Sequence, residues 1–276
     1  MTRWMFGLAL LLASPTWAKD QGLVLRPFLG FSSLEFERSG RDLEVYQANS
    51  PVKLGLAVSY ADWGGALALA VDSMEDEATY GHTDSLDLSL HWMGDRWGWD
   101  LFAQRYIGLY QDLNGEPLRR FSEAAVRRLG TTVYYALNPN FSPGVAFNQS
   151  GRPQASMGSW MLLGGLDYGD FSSKDERLDQ LYGLSLGGGW GQIWSWQGWF
   201  VAPLIMLGVG PAELERGNSA GLQLLLKGQL RLSMGYHGSR YFLGLNSGND
   251  WFATFSEEDS VQWMSLMSEI AVGLLF

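Results

Sequence analysis

Leu222-Gln223-Leu224-Leu225-Leu226-Lys227-Gly228-Gln229-Leu230-Arg231-Leu232-Ser233-Met234 sets Leu222, Leu224, Leu226, Leu230, Leu232 and Met234 on one side of an extended chain. Gln223, Lys227, Gln229, Arg231 and Ser233 fall on the other. A period of two is a β-strand with one apolar and one polar face. Leu86, Leu88, Leu90 and Trp92 alternate with Asp87, Ser89, His91 and Met93 in the same way. Leu54, Leu56, Val58 and Tyr60 alternate with Lys53, Gly55, Ala57 and Ser59, where the second face is mostly small. A soluble β-sandwich would also alternate, so the period alone does not decide what the apolar face meets.

The spacing of the connections decides more. Strands are expected at 23–37, 52–61, 63–73, 84–93, 97–110, 126–138, 143–168 with a break near Arg152-Pro153, 181–193, 197–209, 219–235, 240–248 and 263–276. The connectors then alternate. Short ones centre on Asp62, Gly94-Asp95, Asn138-Pro139-Asn140, Ser195-Trp196 and His237-Gly238. Long ones cover 38–51, 74–83, 111–125, 169–180, 210–218 and 249–262. Short turns at one rim and long loops at the other are the layout of an outer-membrane barrel, with the turns on the periplasmic side. An even strand number returns both chain ends to that rim.

The first residues agree with this address. Arg3, the apolar run Trp4–Ala13 and then Ser14-Pro15-Thr16-Trp17-Ala18 have the three-part layout of a secretory signal. The apolar run is shorter than the roughly 20 residues that a spanning helix needs. Residues 1–18 are therefore expected to be a cleaved signal peptide and 19–276 a single barrel domain. At the other end, Leu266 to Phe276 alternates and closes on an aromatic residue, Phe276, which resembles the assembly signal read by the barrel insertion machinery. The expected fold is all-β, one antiparallel transmembrane β-barrel of about 12 strands in the cell outer membrane.

Composition narrows the function classes. The chain has 19 Lys and Arg against 29 Asp and Glu, a formal net charge of −10, so nucleic acid is not an expected partner. The acids gather in hydrophilic islands, such as Asp72-Ser73-Met74-Glu75-Asp76-Glu77, Lys174-Asp175-Glu176-Arg177 and Glu257-Glu258-Asp259, which read as solvated loops. Cysteine is absent, which excludes disulfides and thiol chemistry. From Leu181 to Ala212 no residue is charged, yet Trp194-Ser195-Trp196-Gln197 divides this stretch into two pieces of strand length. Gly187-Gly188-Gly189 would weaken a helix there by roughly 1 kcal/mol per glycine.

In lipid every backbone N–H and C=O must be paired within the protein, so the sheet must close. Trp97, Trp99, Trp194, Trp196, Trp199 and Tyr241 are candidates for an aromatic girdle at the turn-side rim. The inward polar set is expected to include Lys53, Asp87, His91, Asp100, Gln104, Lys227, Arg231 and Glu269. Charges of both signs could brace a plugged lumen or line a narrow polar channel.

Two constellations bring together residue types capable of chemistry. His237-Gly238-Ser239 has the His-x-Ser pair of outer-membrane lipid A deacylases, but it falls in a short periplasmic turn, far from the outer leaflet. His82 with Asp76, Glu77 and Asp84 offers donors for a divalent cation without a known loop spacing. No nucleotide-binding, hydrolase-elbow or zincin motif occurs. No catalytic residue, metal or cofactor is therefore expected. The expected partners are outer-membrane lipid and the barrel assembly machinery, and any surface partner of the acidic loops is expected to be cationic or metal-mediated.

Trp97-Gly98-Trp99-Asp100-Leu101-Phe102-Ala103-Gln104-Arg105-Tyr106-Ile107-Gly108-Leu109-Tyr110 resembles an uncharacterised family, domain of unknown function four-four-two-one. Tyr134–Asn138 leading to Phe141-Ser142 and Phe147–Ser150, Ser156–Trp160 and Gly235–Gly244 resemble it too. The resemblance implies an outer-membrane barrel of unknown role and brings no catalytic residues. It marks residues 141–159 as a distinctive segment, folded against or into the lumen.

Overall fold

The computed structural model describes residues 22–39, 43–49, 52–71, 76–111, 119–147, 155–173, 176–217, 219–238, 241–256 and 260–275. The expected signal peptide 1–18, the terminal Phe276, Ser239 and most of the acidic islands lie outside the described residues.

Thirteen strands are present among the described residues: β1 (Val24–Ser39), β2 (Leu43–Ala48), β3 (Val52–Tyr60), β4 (Trp63–Ala70), β5 (Asp84–Met93), β6 (Trp97–Gln111), β7 (Arg119–Ala136), β8 (Met157–Ser173), β9 (Glu176–Trp196), β10 (Trp199–Arg216), β11 (Ser219–His237), β12 (Tyr241–Phe255) and β13 (Ser260–Leu275). Two single-turn helices join them, α1 (Glu77–Tyr80) and α2 (Pro143–Ala146). Twelve strands pair antiparallel in sequence order, and β13 returns to β1 from Val24↔Leu275 to Ser39↔Ser260. The ring is closed. β2 is an addition, folding back on β1 at Glu35↔Gln47 and touching β6 at Gln47↔Tyr110. β5 stops pairing with β6 at Asp84↔Ile107, and a bulge at Gly108, with φ 84°, turns the rest of β6 toward β2. A glycine is required there, because a Cβ would sit 2.2 Å from the His82 carbonyl oxygen.

The turns explain themselves locally. β9 and β10 are joined by Gln197 and Gly198 with φ of 48° and 88°, the both-positive pattern of a turn whose twist matches its strands. Three expectations need correction. The strand expected at 143–168 begins only at Met157, and 143–146 is the helix α2. Pro143 has no N–H to give a ladder, and Ser142 Oγ accepts from the Val145 N–H at 3.4 Å, so a helical turn starts there instead. The β7–β8 connector centred on Asn138-Pro139-Asn140 is thus a long insertion from Leu137 to Ser156. The long loops expected at 169–180, 210–218 and 249–262 are mostly strand, since β8 runs to Ser173, β10 to Arg216 and β12 to Phe255, while 38–51 holds β2 and 111–125 the start of β7. Phe171, Leu181 and Leu214 keep burying inner-face surface beyond the point where the outward apolar residues stop.

The outward face is apolar. Leu54, Leu56, Leu67, Leu88, Leu129, Leu166, Leu186, Ile205, Leu207, Leu230 and Ile270 are all exposed. A contiguous belt of such residues needs lipid around it. At the turn-side end of the belt stand the exposed rings of Trp63, Trp97, Trp160, Trp194, Trp196, Trp199 and Tyr241. Among the described residues no helix is long and apolar enough to cross a membrane, and the crossing is made by strands.

Candidate functional site: the sealed lumen

The inner face is built in three layers. Nearest the turns, the β7–β8 insertion enters the barrel. Phe141, Val145, Ala146 and Phe147 are buried against Met93, Tyr134, Met161, Leu163, Ile193, Phe200, Leu204, Met206 and Phe242. Two polar contacts seat it: Ser233 Oγ donates to the Ala146 carbonyl at 3.1 Å, and the Arg231 guanidinium stands 4.9 Å from the Phe147 ring centre. Asn138 Nδ2 donates to the Gly158 carbonyl at 2.8 Å and holds the entry of the segment to β8.

Nearest the loops, a second apolar layer fills the bore. Phe36 of β1 and Phe171 of β8 come from opposite sides of the ring, and their ring centres are 4.8 Å apart. Tyr46 of β2 lies 4.7 Å from the same Phe171, and Trp263 lies 5.6 Å from Phe36. These rings meet one another across the bore. Burial, reinforced by Glu44, pushes the Tyr46 hydroxyl up to about 12.

Between the two layers lies a polar belt. Its cations are Arg26, Lys53, Arg128, Lys227 and Arg231, and its anions are Asp87, Asp100, Asp167, Asp250 and Glu269. Five balance five. Lys53 Nζ, fully buried, pairs with Asp87 and lies 2.9 Å from the Tyr106 hydroxyl. Asp167 accepts from Lys227 at 2.8 Å and from Arg128 at 3.4 Å, and all three side chains are at most 2% exposed. Arg128 is also stacked among Phe102, Phe252 and Trp263, at 4.5, 5.0 and 5.9 Å from their ring centres. Arg26 lies 3.7 Å from Glu269, and Arg231 3.6 Å from Asp250. Tyr134 donates across the bore to Gln229 Oε1 at 3.2 Å. Removing a charge from water costs several kcal/mol, recovered only by good pairing, so the belt fixes which inner residues must meet.

Lys53, Asp87, His91, Asp100, Gln104, Lys227, Arg231 and Glu269 all lie on the inner face within this belt. Lys53 meets Asp87, while Lys227 meets Asp167 and Arg231 meets Asp250. A cavity of about 200 Å³ remains, bordered by Arg26, His91, Asp100, Gln104, Arg231 and Glu269. His91 packs so tightly on Gly64 that a Cβ there would fall 2.1 Å from its Nε2. Four belt members, Arg26, Arg128, Asp167 and Asp250, were not singled out in the sequence. The signal for Asp167 was available, an acid flanked by Leu166 and Tyr168 in a strand of alternating character.

Of the His237–Ser239 pair only His237 lies among the described residues. His237 stands at the turn rim, between the rings of Phe200 at 5.6 Å and Phe242 at 4.6 Å. His82 is 3.5 Å from Glu77, but Asp76 caps α1 and Asp84 pairs with Arg105 at 2.8 Å. Among the described residues no group of three His, Asp or Glu side chains is placed to hold a metal.

A closed ring of antiparallel strands with lipid outside, aromatic rings at the turn-side rim and a filled interior defines an integral outer-membrane β-barrel. The chain belongs to the family described as "Domain of unknown function (DUF4421)", whose model matches residues 31–259. No curated protein matches the sequence. The structure is similar to that of the outer membrane protease OmpT from Escherichia coli, at 6% identity over 93% of this chain and 97% of that one, with a TM-score of 0.45. It is also similar to the translocator domain of autotransporter NalP from Neisseria meningitidis, at 12% identity over 94% and 90%, with a TM-score of 0.43. A third similarity is to the Pseudomonas putida toluene transporter TodX, at 9% identity over 94% and 91%, with a TM-score of 0.33.

Proposed function

We propose that this protein is a sealed, non-enzymatic barrel, a structural and interaction component of the outer membrane rather than a narrow channel. The carrying observation is the contact of Phe36 with Phe171 at 4.8 Å, made by strands that face each other across the bore. The segment 141–147 supports the reading at the other end. On this view Lys53, Asp87, His91, Asp100, Gln104, Lys227, Arg231 and Glu269 are bracing groups and not a solute path. The regular alternation of β13 supports insertion by the barrel assembly machinery, which would read the last residues of the chain.

Single-channel recording of the folded protein in planar bilayers tests this. The native chain is expected to insert and stay silent, and only a variant that opens both layers, Phe36→Ser and Phe171→Ser together with Phe141→Ser and Phe147→Ser, is expected to produce transient openings. Steady conductance of the native chain, with an ion preference altered by Lys227→Glu or Arg231→Glu, would overturn the proposal.

A further inference from the structure

On the outward face of β6, from the turns upward, stand Trp97, Trp99, Leu101 and Ala103, and then Arg105. On β7 they are Tyr135, Val133, Thr131 and Leu129, and then Arg127. Both apolar runs stop in register, because Arg105 and Arg127 are direct partners across the two strands. Eight residue steps at about 3.4 Å, tilted by roughly 40°, give about 21 Å of height, close to the roughly 25 Å apolar band of such barrels. The two arginines therefore stand where the outer-leaflet headgroups begin. Their side chains are 44% and 49% exposed.

Two like charges directly opposite each other on one face of a sheet destabilise it. Each is held by one carboxylate: Arg105 Nη2 donates to Asp84 at 2.8 Å, and Arg127 Nη1 donates to Asp170 at 2.8 Å. A guanidinium carries five N–H donors, so these bonds aim the two forks and leave most of their donors for another acceptor. Directly below, a groove of about 560 Å³ crosses the lipid-facing side of β7 to β11, walled by Leu129, Leu166, Tyr168, Tyr182, Leu184 and Leu222. Of the two acids in its lining, Asp167 is buried against Lys227 and Glu213 stands on the border at the end away from the arginines. Two half-exposed guanidiniums with spare N–H donors above an apolar groove fit a ligand with an anionic head and fatty chains.

We propose that Arg105, Arg127 and the groove beneath them form a binding site for a phosphorylated, acylated lipid of the outer leaflet. Both guanidiniums grip the phosphate, which relieves their mutual repulsion, and an acyl chain lies along Leu129, Leu166 and Leu184.

Native mass spectrometry of the whole folded barrel tests the site, with phosphatidic acid as the phosphomonoester lipid, phosphatidylcholine as its neutral counterpart and inorganic phosphate as the free anion. The native protein is expected to retain phosphatidic acid in preference to phosphatidylcholine, and Arg105→Gln with Arg127→Gln to weaken that retention about tenfold or more. Leu166→Trp, which fills the groove and leaves the arginines, is expected to weaken it as well. A native protein with no preference between the two lipids overturns the proposal whatever the variants do. So does phosphatidic acid retention unchanged in a folded double variant, or displacement by millimolar phosphate, which would make the acyl groove irrelevant.

Discussion

Asp167 is a buried carboxylate shared by two cations, and its neighbours make an asymmetric prediction. Its carboxylate is fully buried and shared by two buried cations, Lys227 at 2.8 Å and Arg128 at 3.4 Å. Asp167→Asn leaves both cations facing each other in a dry interior, so it should cost about 4 kcal/mol, within the range for stripping a buried charge of its partner. Lys227→Met is milder. Asp167 keeps Arg128, only one charge-assisted bond and the contact to Thr132 are lost, and the cost should be about 2 kcal/mol. In the double variant the second cation is gone, Arg128 keeps its three aromatic rings, and the total should be about 3 kcal/mol rather than the additive value of about 6. Equilibrium urea unfolding in phosphocholine vesicles, followed by tryptophan fluorescence, measures all three. Equal costs for the two single changes, or a double variant equal to their sum, would refute a shared buried carboxylate.

Leu207 is outward, 57% exposed and near the middle of β10, so Leu207→Arg should lower stability by about 2–4 kcal/mol in vesicles while Leu207→Ile changes little. An arginine tolerated there would show that this face does not meet lipid. A Cβ at Gly189 would fall 1.9 Å from the Ile205 carbonyl oxygen, so Gly189→Ala should cost about 1–3 kcal/mol and Gly221→Ala, with nothing near it, almost nothing. The heat-modifiable mobility of the folded barrel on gels reads both, and matching behaviour would refute the close approach of β9 and β10. Tyr46 ionises near 10 when free and at about 12 in the fold, so the native state disfavours its phenolate. Its contribution should be complete below pH 10 and decline as pH rises from 10 toward 12, a decline that Tyr46→Phe abolishes in unfolding titrations.

The barrel was legible because lipid outside and charges inside enforce a strict period of two. Leu222 to Met234 keeps that period across a full crossing, and so does Asp84 to Met93. Two kinds of feature escaped. Above the headgroups the outward residues need no longer be apolar, so the alternation blurs exactly where β8, β9 and β10 continue as strands. Polar residues such as Ser172, Ser173 and Gln180 then look like loop, although their neighbours Phe171 and Leu181 are packing the bore. The insertion at 141–147, which the family resemblance marks as a segment against or into the lumen, escapes the strand pattern for the opposite reason. Phe141, Val145 and Phe147 are apolar because they face other inner residues, and an apolar run before Met157 resembles a strand until Pro143 and the Ser142 cap are given their weight.

A neutral belt between two apolar layers also changes what a charge reversal reports. Lys227→Glu shifts the balance of five cations and five anions by two charges and places a second carboxylate beside Asp167. In a water-filled pore that change would be screened, and ion preference would move while the fold survived. In a sealed lumen neither water nor salt reaches the pair, and the carboxylates must share a proton or lose the fold. The same variant therefore separates the two architectures through stability alone. A Lys227→Glu barrel as stable as the native one at neutral pH requires an open bore. A barrel that folds with Lys227→Glu only at acidic pH requires the closed one that Phe36 and Phe171 make across it.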